Sequence, residues 1–173
     1  MKLQKIFLML IWFALLSKAD IFSDTSYQVC FTPYENCTAE IVSIIEEAKK
    51  SIFVQAYSFT SKQIIKALVQ AKKRGIDVQI IMDNSMLKEV GGSQRTKKYL
   101  LKAGIPIWID YKLARAHNKV IIIDEKIVET GSFNFTYAAQ NTNAENLLII
   151  NNTELAKKYL KNWLKRQAES EKI

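Results

Sequence analysis

One histidine occurs in these 173 residues, together with two cysteines, two prolines and five glycines. Two cysteines and one distant histidine do not make a four-ligand zinc site. Only two prolines, with 49% hydrophobic and 24% charged residues, exclude a chain disordered by composition, and the length suffices for one sizeable core. No internal repeat and no low-complexity segment appears, so any motif the chain carries occurs once. The longest apolar run, Ile6 to Leu16, is too short for the roughly 20 residues of a spanning helix. No cysteine follows that run, which argues against lipoprotein anchoring.

What is present begins with an export pattern. Lys2 and Lys5 precede the apolar run, and Ser17-Lys18-Ala19 follows it with small residues at the outer positions, as in a secretory signal. Lys18 is unusual at a cleavage site, so residues 1–19 read as a signal peptide or an uncleaved N-terminal membrane anchor. Cleavage after Ala19 removes three lysines and no acid, which lowers the net charge from +8 to +5. The basic surplus favours a polyanion, either nucleic acid or an anionic lipid surface, although solubility alone accounts for it equally well. Residues 20–37 form an N-terminal segment in which "CFTPYENC" reads as a disulfide loop between Cys30 and Cys37, with Pro33 and Asn36 as turn residues. Free thiols are the alternative in a reducing compartment.

From residue 38 onward helices and strands alternate. "AEIVSIIEEAKK" has helical spacing with Thr38 as its expected N-cap, and residues 51–59 read as a buried strand. Ser61 is expected to cap a helix that ends at Gly75, and residues 76–83 form the next strand. A loop around Gly91 and Gly92 leads into a helix that stops near Gly104, followed by the strand "IPIWID". "KVIIID" and "KIVET" suggest a hairpin turning at Asp124-Glu125-Lys126, "ENLLII" a further strand, and residues 153–172 a basic helix with Leu155, Tyr159 and Trp163 inward. The pattern predicts a single α/β domain over residues 38–173, a mixed sheet flanked by helices on both faces.

The chemistry concentrates in "HNKVIIIDEKIVETGSFNF". Alternation along a strand puts His117 and Lys119 on one face with Ile121 and sends Asp124 to the other, as a structural or supporting carboxylate. Gly131 permits a tight backbone, and Ser132 and Asn134 again lie two apart. An imidazole, an ammonium, a hydroxyl and an amide then converge on a tetrahedral oxyanion. Taken singly, each is an ordinary surface, turn or core residue.

Their spacing is not ordinary. His-x-Lys, four residues, Asp, six residues, Gly-Ser-x-Asn resembles the motif of the phospholipase D superfamily, filled by His117, Lys119, Asp124, Gly131, Ser132 and Asn134. "AYSFTS", "IIKALVQAKKRGIDVQIIMD", "GIPIWID", "VETGSFNFT" and "NAENLLII" extend the resemblance over residues 40–165, to the short single-motif bacterial endonucleases of the Nuc type. That resemblance implies a phospholipase D/nuclease-like α/β/α sandwich. It also implies a mechanism in which one histidine attacks phosphorus, forming a phosphohistidine, while a second protonates the leaving oxygen and then activates water. One chain supplies one histidine, so the resemblance implies a homodimer whose twofold axis brings two copies of His117 to a shared site. Glu145 matches the acid that orients a catalytic histidine in that family.

No metal or other cofactor is implied, because histidine and lysine take the place of a Lewis acid, and the clustered carboxylates of two-metal nucleases are missing from the sequence. The expected partners are nucleic acid, single-stranded DNA first with duplex DNA and RNA behind it, a second copy of the chain, and a membrane if the N-terminus is retained. The expected location is exported: periplasmic, secreted or anchored to the outer face of the inner membrane. Phe133 and Phe135 are candidates for base stacking or for the core, and Lys157, Lys158, Lys161, Lys165 and Arg166 for a phosphate-binding stripe or a solvated face. A phospholipid phosphodiesterase or phosphatidyltransferase using the same His-Lys-Asp residues is the alternative.

Overall fold

A computed structural model describes residues 25–85 and 92–173, so the expected signal over residues 1–19 and the loop at Gly91 lie outside the described residues. In chain order the elements are β1 (Ser26–Thr32), α1 (Cys37–Glu47), β2 (Ser51–Ala56), α2 (Lys62–Lys73), β3 (Asp77–Asp83) and α3 (Gly92–Lys102). There follow β4 (Ile107–Asp110), β5 (Lys119–Ile123), β6 (Ile127–Gly131), α4 (Tyr137–Asn141), β7 (Glu145–Asn151), α5 (Thr153–Ala168) and β8 (Glu171–Lys172). The strands form one eight-stranded sheet in the order β1-β7-β6-β5-β2-β3-β4-β8. β2, β3 and β4 run parallel and every other pairing is antiparallel, giving the mixed sheet expected from the sequence.

The central strands are mostly apolar because both of their faces are covered. Ile52, Val54, Val78, Ile80, Ile121 and Ile123 join α1 and α2 in one core cluster. Their alternates Ile81, Val120 and Ile122 join Ala156 and Trp163 of α5 in another, with Phe53 packed against it. Trp163 is fully buried, packs tilted against Phe53 with ring centres 4.9 Å apart, and donates its indole N–H to Val54 O at 3.0 Å, which satisfies its one polar atom. Leu155 and Tyr159 pack against the same cluster, as their spacing with Trp163 predicts.

Several boundaries differ from expectation. Asn36, not Thr38, caps α1: its Oδ1 accepts from Ala39 N at 3.1 Å, so the helix begins at Cys37 inside the disulfide loop. Ser61 occupies the cap position of α2 without a side-chain bond, its N–H going instead to Phe135 O at 2.8 Å. β2 stops at Ala56, and Tyr57 donates to Asn118 O at 3.0 Å as the chain leaves the ladder. The last helix ends at Ala168 rather than 172, because Glu171–Lys172 pairs with β4. The N-terminal segment, for which the sequence suggests only a disulfide loop, contributes the edge strand β1, whose register runs from Ser26↔Asn151 to Thr32↔Glu145. The short helix α4 was also unforeseen.

Glu129 stands apart. It is fully buried, opposite Ile121 and Ile149, and neither carboxyl oxygen has a hydrogen-bond partner among the described residues. Burial holds its pKa well above the usual carboxylate range, opposed only by the nearby Ile121 backbone N–H. Burial therefore favours its neutral form.

Candidate active site

One end of the sheet collects the motif residues other than Asp124. There β2, β3 and β4 finish, β5 and β7 begin and β6 finishes, so the registers Ala56↔Lys119, Gly131↔Leu147 and Thr32↔Glu145 fall together. His117 sits just ahead of β5, exposed, with its ring tilted against Tyr57 at 4.3 Å. Lys119 opens β5 and is buried, its Nζ donating to His117 O at 2.8 Å. That ammonium also lies 2.9 Å from Nδ1 and 3.2 Å from Nε2 of the same ring, and 5.0 Å from the Tyr57 ring centre. An ammonium only donates, so it favours a lone pair on the ring nitrogen it meets.

Electrostatics agree with that contact. Partial desolvation lowers the His117 pKa, the Lys119 and Arg115 charges lower it further, and Asp83 opposes them. These charges favour the neutral imidazole. Lys119 is lowered by burial too, with Glu145 opposing, which places that carboxylate within electrostatic reach of the ammonium. Asp83, buried at the end of β3, accepts from Ala116 N at 2.6 Å and from Ser85 N at 2.9 Å. It fixes the backbone one residue before His117.

A second group forms on β6 and β7. Ser132 Oγ donates to Glu145 Oε2 at 2.5 Å and accepts from Asn146 N at 3.0 Å, while Asn143 Nδ2 donates to Glu145 Oε1 at 2.9 Å. The Ser132 hydroxyl proton thus points at the Glu145 carboxylate. No hydrogen bond joins Glu145 to His117 among the described residues; the two clusters meet through Lys119. Asn134 is half-buried, with its Oδ1 enclosed and unpartnered among the described residues. At Gly131 a Cβ would lie 2.2 Å from Asn146 O, so the approach of β7 admits no side chain there.

Asp124 is not at this end. β5 separates it from Lys119 by five residues, roughly 17 Å of strand. Its carboxylate accepts from Lys49 N at 2.8 Å, Lys50 N at 2.7 Å and Ser51 N at 2.9 Å. Burial would raise its pKa, but those three donors and the Lys50 charge outweigh it and leave the group lowered. The motif aspartate clamps the hairpin to the start of β2.

Cys30 and Cys37 are joined in a disulfide, and the loop they close is held at the site end of the molecule by α1. Phe133 and Phe135 are fully buried in the core, so neither ring is available for base stacking. Arg166 is tied to Asp110 and Glu169 rather than standing in an open stripe, and Lys157 pairs with Glu154 at 2.8 Å. Sequence reasoning gave no role to Tyr57, Asp83 or Asn143. For Asp83 the signal was available: a strand-terminal aspartate before Asn84-Ser85 is an Asx-turn pattern.

Among known proteins, the family model described as "Cardiolipin synthase, PLD-like domain" matches residues 41–166. A phospholipase D of Rickettsia typhi is 46% identical over 149 residues, 86% of this chain and 71% of that protein. The mitochondrial cardiolipin hydrolase of Mus musculus is 32% identical, over 78% of this chain and 60% of that one. In three dimensions the chain is similar to Nuc from Salmonella typhimurium, with a TM-score of 0.82 at 41% identity, covering 87% of this chain and 99% of that one. NucT from Helicobacter pylori follows at a TM-score of 0.76 and 30% identity, over 87% and 100%. With an intact His-x-Lys motif gathered at the sheet end and this similarity along most of its length, the chain belongs to the phospholipase D superfamily and is a phosphodiesterase.

Proposed function

We propose that this phosphodiesterase is an endonuclease that cleaves nucleic acid, single-stranded DNA best, with little sequence preference, through a covalent phosphohistidine at a site shared by two copies of the chain. The observation that carries the reading is a lone, exposed histidine held against a buried lysine. The nearly complete coverage of Nuc and NucT supports nucleic acid as substrate, and the +8 net charge suits a polyanion.

The chemistry follows from the geometry. A lone pair on the His117 ring attacks phosphorus, a P–N bond forms, and the P–O bond opposite it breaks. The departing oxygen takes its proton from the other copy's imidazolium, which, then neutral, removes a proton from the water that hydrolyses the P–N bond. Lys119 neutralises charge growing on the phosphoryl oxygens. Two identical imidazoles take different roles because protonating one disfavours protonating its neighbour. Within a protomer Glu145 bonds Ser132 and Asn143, and we assign it to steady the Lys119 ammonium and the shared histidine pair. Asn134 and Ser132 complete the phosphate pocket once substrate competes for their hydrogens.

Histidine and lysine perform these steps without a metal. Cleavage of a labelled single-stranded oligonucleotide in excess EDTA tests this: the wild type cuts and His117→Ala does not. No cutting by folded, dimeric protein defeats the reading. A second reading, a lipid phosphodiesterase, is favoured by the phospholipase D and cardiolipin hydrolase names of its relatives. Released head group or phosphatidic acid from vesicles, with intact oligonucleotide, would establish it instead. Export is part of the proposal, supported by the Lys2-to-Ala19 pattern and by the disulfide, and cell fractionation tests it.

A further inference from the structure

Two of the most exposed aromatic rings of the described residues, Tyr34 at 95% and Tyr137 at 74%, line the same open cavity of about 660 Å³. A single exposed ring needs no explanation, but two on one cavity next to a reactive centre do. The rest of that cavity is largely polar, with one base, Lys62, and one acid, Glu35, beside the amides of Gln63, Gln140 and Asn141. Both walls are continuous with the site. Tyr137 follows Asn134 by three residues, at most about 11 Å of chain. On the other wall, Thr32 immediately precedes the Pro33–Asn36 loop, and its Oγ1 accepts from Glu145 N at 3.2 Å.

The walls are also built rigidly. The Cys30–Cys37 disulfide closes the Tyr34 loop, and the Glu35 carboxylate accepts from Phe31 N at 2.6 Å. Gln140 of α4 then bridges the two walls, its Nε2 donating to Glu35 O at 2.8 Å and its Oε1 accepting from Thr38 N at 2.8 Å. A loop fastened at so many points and tipped with a fully exposed tyrosine is arranged for contact with something outside the chain. Flat π-faces beside a basic side chain and amide groups suit an unpaired nucleobase, which any aromatic face accepts irrespective of base identity.

On the nuclease reading, on which this inference rests, the geometry points to a base-stacking subsite: Tyr34 and Tyr137 hold unpaired bases flanking the scissile phosphate. This subsite explains a preference for single strands, since a paired base cannot leave its stack without cost. It also supplies the stacking contact that the buried Phe133 and Phe135 cannot.

The test compares steady-state cleavage of a single-stranded oligonucleotide with cleavage of the same strand made abasic around one scissile position. The proteins are the full chain and its Tyr34→Ala/Tyr137→Ala and Tyr34→Phe/Tyr137→Phe forms. The alanine pair is expected to raise KM for the base-bearing strand at least about tenfold with kcat nearly unchanged, the scale of lost base stacking. It should leave the abasic strand unaffected, and the phenylalanine pair should behave as wild type. An unchanged KM, or an equal rise on the abasic strand, overturns the subsite while the nuclease reading stands. Loss of adsorption to anionic phospholipid vesicles by the alanine pair, with oligonucleotide KM intact, makes the tyrosines a membrane contact and also overturns it. If the wild type cuts neither strand, the nuclease reading falls and the subsite with it.

Discussion

The two ends of strand β5 carry halves of one sequence motif and are built on opposite principles. At the Asp124 end three backbone N–H groups converge on a carboxylate, which is left more acidic than usual. At the Lys119 end an ammonium and an imidazole are crowded together, both are shifted toward their neutral forms, and the histidine faces solvent. Satisfied groups stabilise and poised groups react, so proximity in sequence does not imply a common task. Asp124 and Glu125 also turn the hairpin with φ of 53° and 55°, a left-handed conformation that the aspartate side chain helps to hold.

Substitutions separate the ends most sharply. His117→Ala is expected to lower kcat by at least about 10³-fold, since on the proposed mechanism it removes nucleophile and acid together, while its exposed position keeps stability within about 0.5 kcal/mol. Parallel kinetics and thermal unfolding check both halves of that statement. Asp124→Ala should do the reverse: a loss of roughly 3 kcal/mol, or about 6–12 °C in Tm, with activity below the transition close to wild type. If it abolished turnover in folded protein, the contrast between the ends would be wrong.

A milder test uses pH. The lowered pKa of Asp124 contributes stability present above its unfolded pKa and lost as pH falls through the folded one. Glu129 has the opposite sign: its raised pKa means that stability is greatest below the unfolded value and declines as pH rises above it toward the folded value. Glu129→Gln should therefore flatten the fall in Tm between pH 5 and pH 8, by roughly 2–4 °C for each kcal/mol of penalty removed. An unaltered pH dependence would mean that Glu129 is not held neutral.

The smallest effect concerns Arg115. The acid limb of kcat/KM reports protonation of the nucleophile and should have its midpoint below the ordinary histidine value of about 6.5. Arg115→Gln removes a charge that disfavours the imidazolium, so the midpoint should move upward by less than about one pH unit. A downward movement would contradict the electrostatic picture.

Much of this was legible in the sequence because strands alternate. Parity in "KVIIID" separates Ile121 and Ile123 from Val120 and Ile122, and the structure buries those pairs on opposite faces. Strand β1 was not legible, since Tyr27, Val29 and Phe31 lie on an edge with one face open and a disulfide loop close behind. The distance of Asp124 from Lys119 follows from the length of β5, whereas the partners of Glu145 were not legible: Ser132 and Asn143 reach it only because β6 and β7 pair in one register. Tyr57 was hidden for a related reason. Its ring meets His117 through an antiparallel pairing of β2 with β5, which local pattern does not specify.

The central claim is that one histidine per chain becomes two per site. Quenching the enzyme with a labelled single-stranded substrate during turnover and counting phosphohistidine against chains tests it most directly. A saturating value of one labelled His117 for every two chains, absent in His117→Ala, is predicted. One label per chain, or turnover by dilute monomer, would contradict the shared site.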